Sequence, residues 1–301
     1  MSKFSLIAIV GAPNVGKSSL TNAIIGQKLS IVSPKVQTTR NAVRGILVEG
    51  DTQLVIIDTP GIFLPKSDRI LERVIVKSAW QALREADAIC LLIDAQDGFN
   101  AQNRHILADL RKNGFEPMVV INKVDAVKKP KLLTIIAELD EQKIAGVRMI
   151  SVKNNDGVGE IKQMFLERCK PGEWLYGKDD LTDAPMRFTA SEITREKLFL
   201  NLSQEIPYAL TVKTDSYKVL DNGQVIIHQT IFVLKESQKA IVVGKNGAMI
   251  KQISIEARKD IGAIVGSKIH LYLLVKVKSD WMHDKSSYEM MDVDLQLRAK
   301  N

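Results

Sequence analysis

Residues 6–19 read LIAIVGAPNVGKSS, an apolar, β-rich run at 6–10 that passes straight into Gly11-Ala12-Pro13-Asn14-Val15-Gly16-Lys17-Ser18 and then, through Ser19, into the helical pattern SSLTNAII. This is a strand, a G-x-x-x-x-G-K-S loop and a helix in immediate succession. Each residue type has a reason. Glycines let backbone N–H groups curl around phosphate oxygens, and the helix N-terminus adds the positive end of its dipole. Lys17 can reach the β and γ phosphates, and the Ser18 hydroxyl can ligate Mg²⁺. A loop of this kind predicts a parallel sheet around it, because the phosphate sits beyond the carboxyl ends of the strands.

The pattern around that stretch agrees. Apolar runs at 43–50, 53–58, 88–94, 117–122 and 147–150 alternate with helical periodicity near 68–84, 101–113, 130–143 and 158–169. Continuous apolar strands separated by helices predict a doubly wound α/β domain with a parallel-type sheet covered on both faces. The run KPGEWLYGKDDLTD (170–183) has Pro, Gly and clustered carboxylates without a period and reads as a linker. Beyond it a second, smaller α+β unit is expected in the order helix (191–204), strand (208–219), turn at Asp221-Asn222-Gly223, strand (224–234), two helical pieces (238–244, 247–262) and strand (268–277). The division is residues 1–170, a linker at 171–187, a second domain at 188–281 and a tail at 282–301.

Composition sets the outer limits. The 301 residues, 45% hydrophobic and 26% charged, fit two globular domains and not a disordered or fibrous chain. The longest apolar run, Ala88 to Ile93, is far short of the roughly twenty residues that a membrane-spanning helix requires. The N-terminus lacks the pattern of an export signal, and two cysteines make neither a disulfide framework nor a zinc site, so a reduced, cytoplasmic setting is expected. His105, His228, His270 and His283 show no metal spacing. The net charge is +7, and between Lys239 and Lys278 eight basic residues face two acidic ones, which suggests a local polyanion contact.

Further motifs give the first domain its chemistry. Asp58-Thr59-Pro60-Gly61 ends the third strand, where an aspartate can hold Mg²⁺ and the Gly61 amide can meet a γ phosphate. Asn122-Lys123-Val124-Asp125 follows the strand PMVVI. The Asp125 carboxylate can accept both N1–H and the 2-amino group of guanine, a donor pair that adenine lacks, while the Lys123 stem packs along the base. Ser151-Val152-Lys153 offers backbone N–H groups near the guanine oxygen.

With these four motifs the chain resembles the translation-factor-related class of small GTPases, and Gln37-Thr38-Thr39-Arg40 looks like the first switch of its Era subfamily. The resemblance implies GTP/GDP and Mg²⁺ as ligands, with Ser18, Asp58 and either Thr39 or Thr38 on the metal. Catalysis would rest on Lys17, Thr39, Asp58 and Gly61. Ile62 stands where Ras-like enzymes carry a water-orienting glutamine, so slow intrinsic hydrolysis is expected. Val152 stands in a place usually held by alanine.

In the second unit Gly244-Lys245-Asn246-Gly247 joins two helical pieces inside the basic segment. A Gly-x-x-Gly loop in an α-β-β-α-α-β order resembles the type II K-homology module, which clamps about four nucleotides of single-stranded RNA. Lys251 and Arg258, seven residues apart, fall on one helix face and suit one phosphate track, whereas Ile250, Ile253, Ala257 and Ile261 form a core stripe. The subfamily resemblance covers nearly the whole chain. It implies a monomer that binds the 3′ end of small-subunit rRNA and assists 30S assembly, with peripheral contact at the inner membrane surface. A GTPase acting in tRNA modification or on a protein partner is the alternative reading.

Overall fold

A computed structural model describes residues 1–35, 38–63, 70–144, 146–203 and 206–282. Gln37 of the expected first switch and the tail beyond Met282 lie outside the described residues. The chain divides into two compact units, Met1–Asp183 and Ala184–Asn301.

The first unit is built from β1 (Lys3–Val10), α1 (Lys17–Ile25), β2 (Val43–Glu49), β3 (Thr52–Asp58), α2 (Ile70–Glu85), β4 (Ala88–Asp94), α3 (Ala101–Lys112), β5 (Met118–Asn122), α4 (Lys129–Glu141), β6 (Arg148–Met149), α5 (Val158–Glu167) and β7 (Lys170–Pro171). The strand order β2-β3-β1-β4-β5-β6 puts β1 in the middle, with β7 also pairing β1. From β3 through β6 the pairs are parallel, and Ile7, Ile9, Ile56, Leu91, Ile93 and Val120 are fully buried. Burial on both faces is why these runs are continuously apolar. Strand β2 runs antiparallel to β3 at the sheet edge, a direction that hydrophobic pattern does not encode. It is joined to β3 by a tight turn at Gly50.

The first part of the segment expected as a linker is bonded to the first unit. Gln53 on β3 accepts from the amides of Leu175 (3.0 Å) and Tyr176 (3.1 Å) and donates to the Tyr176 carbonyl (2.8 Å). The Ile46 amide donates to the Leu181 carbonyl, and Arg44 bonds both Glu85 and Asp183 at 2.6 Å. The first unit therefore extends past Lys170 to Asp183, because the Gln53 side chain of β3 and the Ile46 amide of β2 satisfy backbone groups of a segment with no strand pattern of its own.

The second unit contains α6 (Met186–Asn201), β8 (Thr211–Val219), β9 (Val225–Val233), α7 (Glu236–Val243), α8 (Ala248–Val265) and β10 (Ile269–Val277), the order expected. Its sheet runs β10-β9-β8, with β8 antiparallel and β10 parallel to β9. Ile253, Ala257 and Ile261 of α8 are buried and Ile250 is partly so, as the helical stripe requires. In α6, Thr194 bonds Gln229 at 2.6 Å, and Gln229 in turn bonds Thr214 at 3.2 Å, a buried polar chain that pins helix to sheet.

Candidate functional site

The loop after β1 turns beneath the carboxyl ends of the central strands. Gly16 adopts φ +102°, and a Cβ there would lie 2.3 Å from the Asn122 amide nitrogen, so only glycine allows the loop to approach β5 so closely. Asn122 uses that approach. Its amide donates to the Val15 carbonyl (2.8 Å) and its oxygen accepts from the Val152 amide (3.2 Å), tying the phosphate loop to the loop after β6.

At the loop's other side Lys17 is buried, its Nζ donating to the carbonyls of Ala12 (2.9 Å) and Gly11 (3.3 Å). Burial lowers its pKa to about 8, a shift that Asp58 opposes. Ser18, opening α1, donates to Asp58 Oδ2 at 2.6 Å and meets the Thr39 hydroxyl at 2.9 Å. Thr38 also lines the cleft but bonds other groups, donating to the Lys35 carbonyl and meeting Ser33, both at 2.6 Å. Of the two threonines it is Thr39 that joins Ser18 and Asp58. The Asp58 carboxyl is fully buried, which raises its pKa, while Ser18, Lys17 and Ser30 pull it back. Its Oδ1 makes no well-formed hydrogen bond.

Thr59 is buried and donates to the Ile9 carbonyl, so it anchors β3 to β1 and does not face the cleft. After Pro60 and Gly61, the Ile62 side chain is buried in the core and its amide donates to the Gly11 carbonyl at 3.1 Å. It can orient no water.

Lys123, with φ +60°, donates to the Asn14 carbonyl (2.7 Å) and pairs with Asp94 Oδ2 (2.6 Å). Asp125 sits in a single helical turn at Val124–Ala126 and accepts from the Ser151 hydroxyl at 2.6 Å. Of the three amides at 151–153, Ser151 is bonded to Asp156 and Val152 to Asn122. Only the Lys153 amide is left among the described residues. A cleft of about 400 Å³ runs from Lys17, Ser18 and Thr39 past Asn14 to Lys123.

Two contributors are not visible as motifs. Asp94 ends the apolar run AICLLID and reads there as a strand terminator, yet register pairs it with Asn122 and its carboxylate holds Lys123. Asn22, inside α1, bonds the amides of Leu29 and Ser30 and the Ser30 carbonyl at 2.7–2.9 Å, shaping the loop beside Asp58. Asp94 carried one signal, a carboxylate at a strand's carboxyl end.

In the second unit, residues 244–247 form a tight turn between α7 and α8. A Cβ on Gly244 would lie 2.7 Å from the Met249 Cβ, so glycine is required for the helix to start where it does. Asn246 is left-handed (φ +52°), and Lys245 and Asn246 are exposed at the tip. Lys251 and Arg258 are exposed on α8, away from the buried stripe.

Known proteins share both halves. The family model described as a 50S ribosome-binding GTPase matches residues 6–123, and the KH domain model matches residues 205–282. GTPase Era of Bradyrhizobium sp. (strain ORS 278) is 45% identical over 295 residues, covering 97% of this chain and 95% of that protein. Among solved structures, Era in complex with MgGDPNP and nucleotides 1506–1542 of 16S ribosomal RNA superposes with a TM-score of 0.92 at 35% identity, covering 97% of this chain and 99% of the other. A variant of Aquifex aeolicus Era bound to GDP·AlF4⁻ gives 0.91 at 35% identity, over 96% and 98%. With its Gly-x-x-x-x-Gly-Lys-Ser loop, the Asn122-Lys123-Val124-Asp125 motif after β5 and the Gly-x-x-Gly turn in one chain, and with relatives matched over nearly their whole length, the protein belongs to the Era family of GTPases.

Proposed function

We propose that the chain binds GTP and GDP with Mg²⁺ in the cleft of its first unit and hydrolyses GTP slowly. Its second unit holds the 3′ end of small-subunit 16S rRNA and assists 30S assembly, with the nucleotide state as the switch. The observation that carries the nucleotide half is a single cleft lined by Lys17, Ser18 and Thr39 together with Lys123, with the buried Asp58 bonded to Ser18 and with Asp125, two residues after Lys123, bonded to Ser151.

The residues present fit Mg²⁺. Ser18 and Thr39 present two hydroxyl oxygens beside a buried carboxylate whose Oδ1 lacks a well-formed hydrogen bond, the hard-oxygen set that this ion prefers. Bound there, the ion would offset charge on the β and γ phosphate oxygens. Lys17 exchanges two loop carbonyls for phosphate oxygens, which are far better partners for an ammonium. The amide of Gly61 has no partner among the described residues and is the donor for a γ phosphate. The Asp125 oxygen not engaged by Ser151 accepts from guanine, and the Lys153 amide is the donor toward the guanine oxygen. No side chain at position 62 can orient water, so basal turnover rests on charge stabilisation by these donors.

For the RNA half the support is the exposed Gly244–Gly247 turn with Lys251 and Arg258 on the following helix, together with the 16S rRNA segment bound by the related Era. A docking module for protein alone has no use for that backbone turn. We place the protein in the cytoplasm, with its net charge of +7 supporting peripheral contact with an anionic membrane face. No helix of the described residues is long and apolar enough to cross a membrane. Competition against a fluorescent GDP analogue in the presence of Mg²⁺ tests the nucleotide assignment. GTP and GDP are expected to displace it and ATP is not, and equal displacement by ATP would overturn the assignment.

A further inference from the structure

Strand alternation in the second unit sorts its sheet into two faces. Residues 212, 214, 225, 227, 229, 231, 269, 271 and 275 are buried on the side where α6, α7 and α8 pack. On the other side the register places Ser216, His228 and Tyr272 in one cross-strand row, flanked on one side by a row of Lys218, Ile226 and His270, and on the other by a row of Lys213, Leu274 and the buried Thr230 and then one of Phe232, Lys276 and the buried Thr211. This open face is not a neutral surface. His228 and Tyr272 stack with ring centroids 4.9 Å apart and planes 14° from parallel, and Ser216 bonds His228 Nδ1 at 3.0 Å, fixing the ring. Tyr272 and Leu274 are 55% and 52% exposed. By register Lys213 and Lys218 of β8 stand in the rows on either side of this pair and Lys276 of β10 stands two rows beyond it, and none of the three is in an ion pair among the described residues. The carboxylate facing them, Asp215, accepts from the Thr230 hydroxyl at 2.7 Å.

Oriented rings at the centre of a lysine rim are the chemistry that holds single-stranded nucleic acid, in which bases stack on the rings and phosphates meet the ammonium groups. At the β10 edge the face also borders α8, the helix that follows the Gly-x-x-Gly turn. A basic cleft of about 440 Å³ lies between the C-terminal half of α8 and the start of β10, lined by Arg258, Lys259, Lys268 and His270. Arg258 is about 16 Å along α8 from Gly247. His270 lines that cleft and also stands on the open face, two residues before Tyr272 on the edge strand. A strand leaving the turn along Lys251 and Arg258 meets this cleft and can pass over the β10 edge onto the aromatic pair.

We propose that the open face of the β8–β9–β10 sheet is a second contact surface for single-stranded RNA, with bases stacking at His228–Tyr272 and phosphates held by Lys213, Lys218 and Lys276. The proposal rests on reading the second unit as RNA-binding. The test is fluorescence anisotropy with the full chain, GDPNP and Mg²⁺, using labelled single-stranded RNAs of about six and about twenty nucleotides that share the sequence held by the Gly-x-x-Gly turn. Tyr272→Ala, and Lys213→Glu with Lys276→Glu, are expected to weaken the long RNA about tenfold or more while leaving the short one within twofold. Tyr272→Phe is expected to restore the long-RNA affinity, since it keeps the ring. Unchanged long-RNA binding in the Ala and Glu variants overturns the proposal alone, and so does weakened binding to intact 30S subunits with naked RNA unaffected, which marks a protein-docking face. Absence of any RNA binding by the parent chain overturns the underlying reading as well.

Discussion

Replacing Asp94 by asparagine removes one charge from the base end of the nucleotide cleft and almost nothing else. Asparagine has the same shape and keeps an oxygen for the Gln96 amide, which Asp94 Oδ1 accepts at 2.8 Å. What is lost is the 2.6 Å ion pair with Lys123. Breaking a fully buried pair costs about 3–5 kcal/mol, and an exposed one about 0–1 kcal/mol. Here the carboxylate is 7% exposed and the ammonium 33%, and Lys123 keeps its bond to the Asn14 carbonyl. The cost should therefore fall between these limits, at about 1–2 kcal/mol, or roughly 5- to 30-fold in guanine nucleotide affinity. Stopped-flow dissociation of a fluorescent GDP analogue reads this directly, because a loosened Lys123 shows in the off-rate. A positioning role also requires non-additivity. In a Lys123→Met background Asp94→Asn should change the off-rate less than twofold. An off-rate within twofold of the parent in the single variant, or a full additional effect in the double one, would refute the reasoning.

Other outcomes follow from the same geometry. Asp125→Asn should cost at least about 100-fold in GTP affinity and move preference toward xanthine nucleotides, whose ring carbonyl calls for a donor; nucleotide competition checks it. Lys17, whose pKa burial lowers to about 8, is largely neutral at pH 9 and becomes charged when phosphates arrive, so GDP binding at pH 9 should take up close to one proton and at pH 7 almost none. Calorimetry in buffers of different ionisation enthalpy measures this uptake, and Lys17→Met should abolish it. Ile62→Ala should lower the stability of the first unit by about 2–4 kcal/mol in denaturant unfolding, because the side chain is buried. Basal hydrolysis per folded molecule should stay within a few-fold, and a tenfold loss would show that position 62 takes part in the chemistry.

Much of the site was legible because its chemistry constrains backbone and side chain together. The loop after β1 approaches β5 so closely that it needs glycine at position 16, where the structure has an amide nitrogen 2.3 Å from any Cβ, and the carboxylate expected to select guanine, Asp125, stands in the turn just after β5. The Gly244–Gly247 turn was legible for the same reason. What stayed hidden depends on partners distant in sequence. Nothing in QTTR distinguishes Thr38 from Thr39, and the geometry does so only through Ser33 and Lys35 on one side and Ser18 on the other. Residues 171–183 look like a linker because the groups that bind them, Gln53, Ile46 and Arg44, lie about 130 residues away on β2 and β3. Strand direction escaped too, since an antiparallel edge strand such as β2 packed on one core reads like its parallel neighbours. Asp94 is hidden because its partner, Lys123, is 29 residues away in a motif whose pattern does not call for a second carboxylate.

The most direct test is anisotropy binding of a single-stranded RNA copying the 16S rRNA 3′ end, against a scrambled control, with the full chain in GDPNP and in GDP. The expected result is preference for the cognate RNA, tighter in the GDPNP form and lost when Gly244 and Gly247 are replaced by aspartate, with GTP hydrolysis kept near its basal rate. Equal binding of cognate and scrambled RNA in both nucleotide states, with hydrolysis intact, would contradict it.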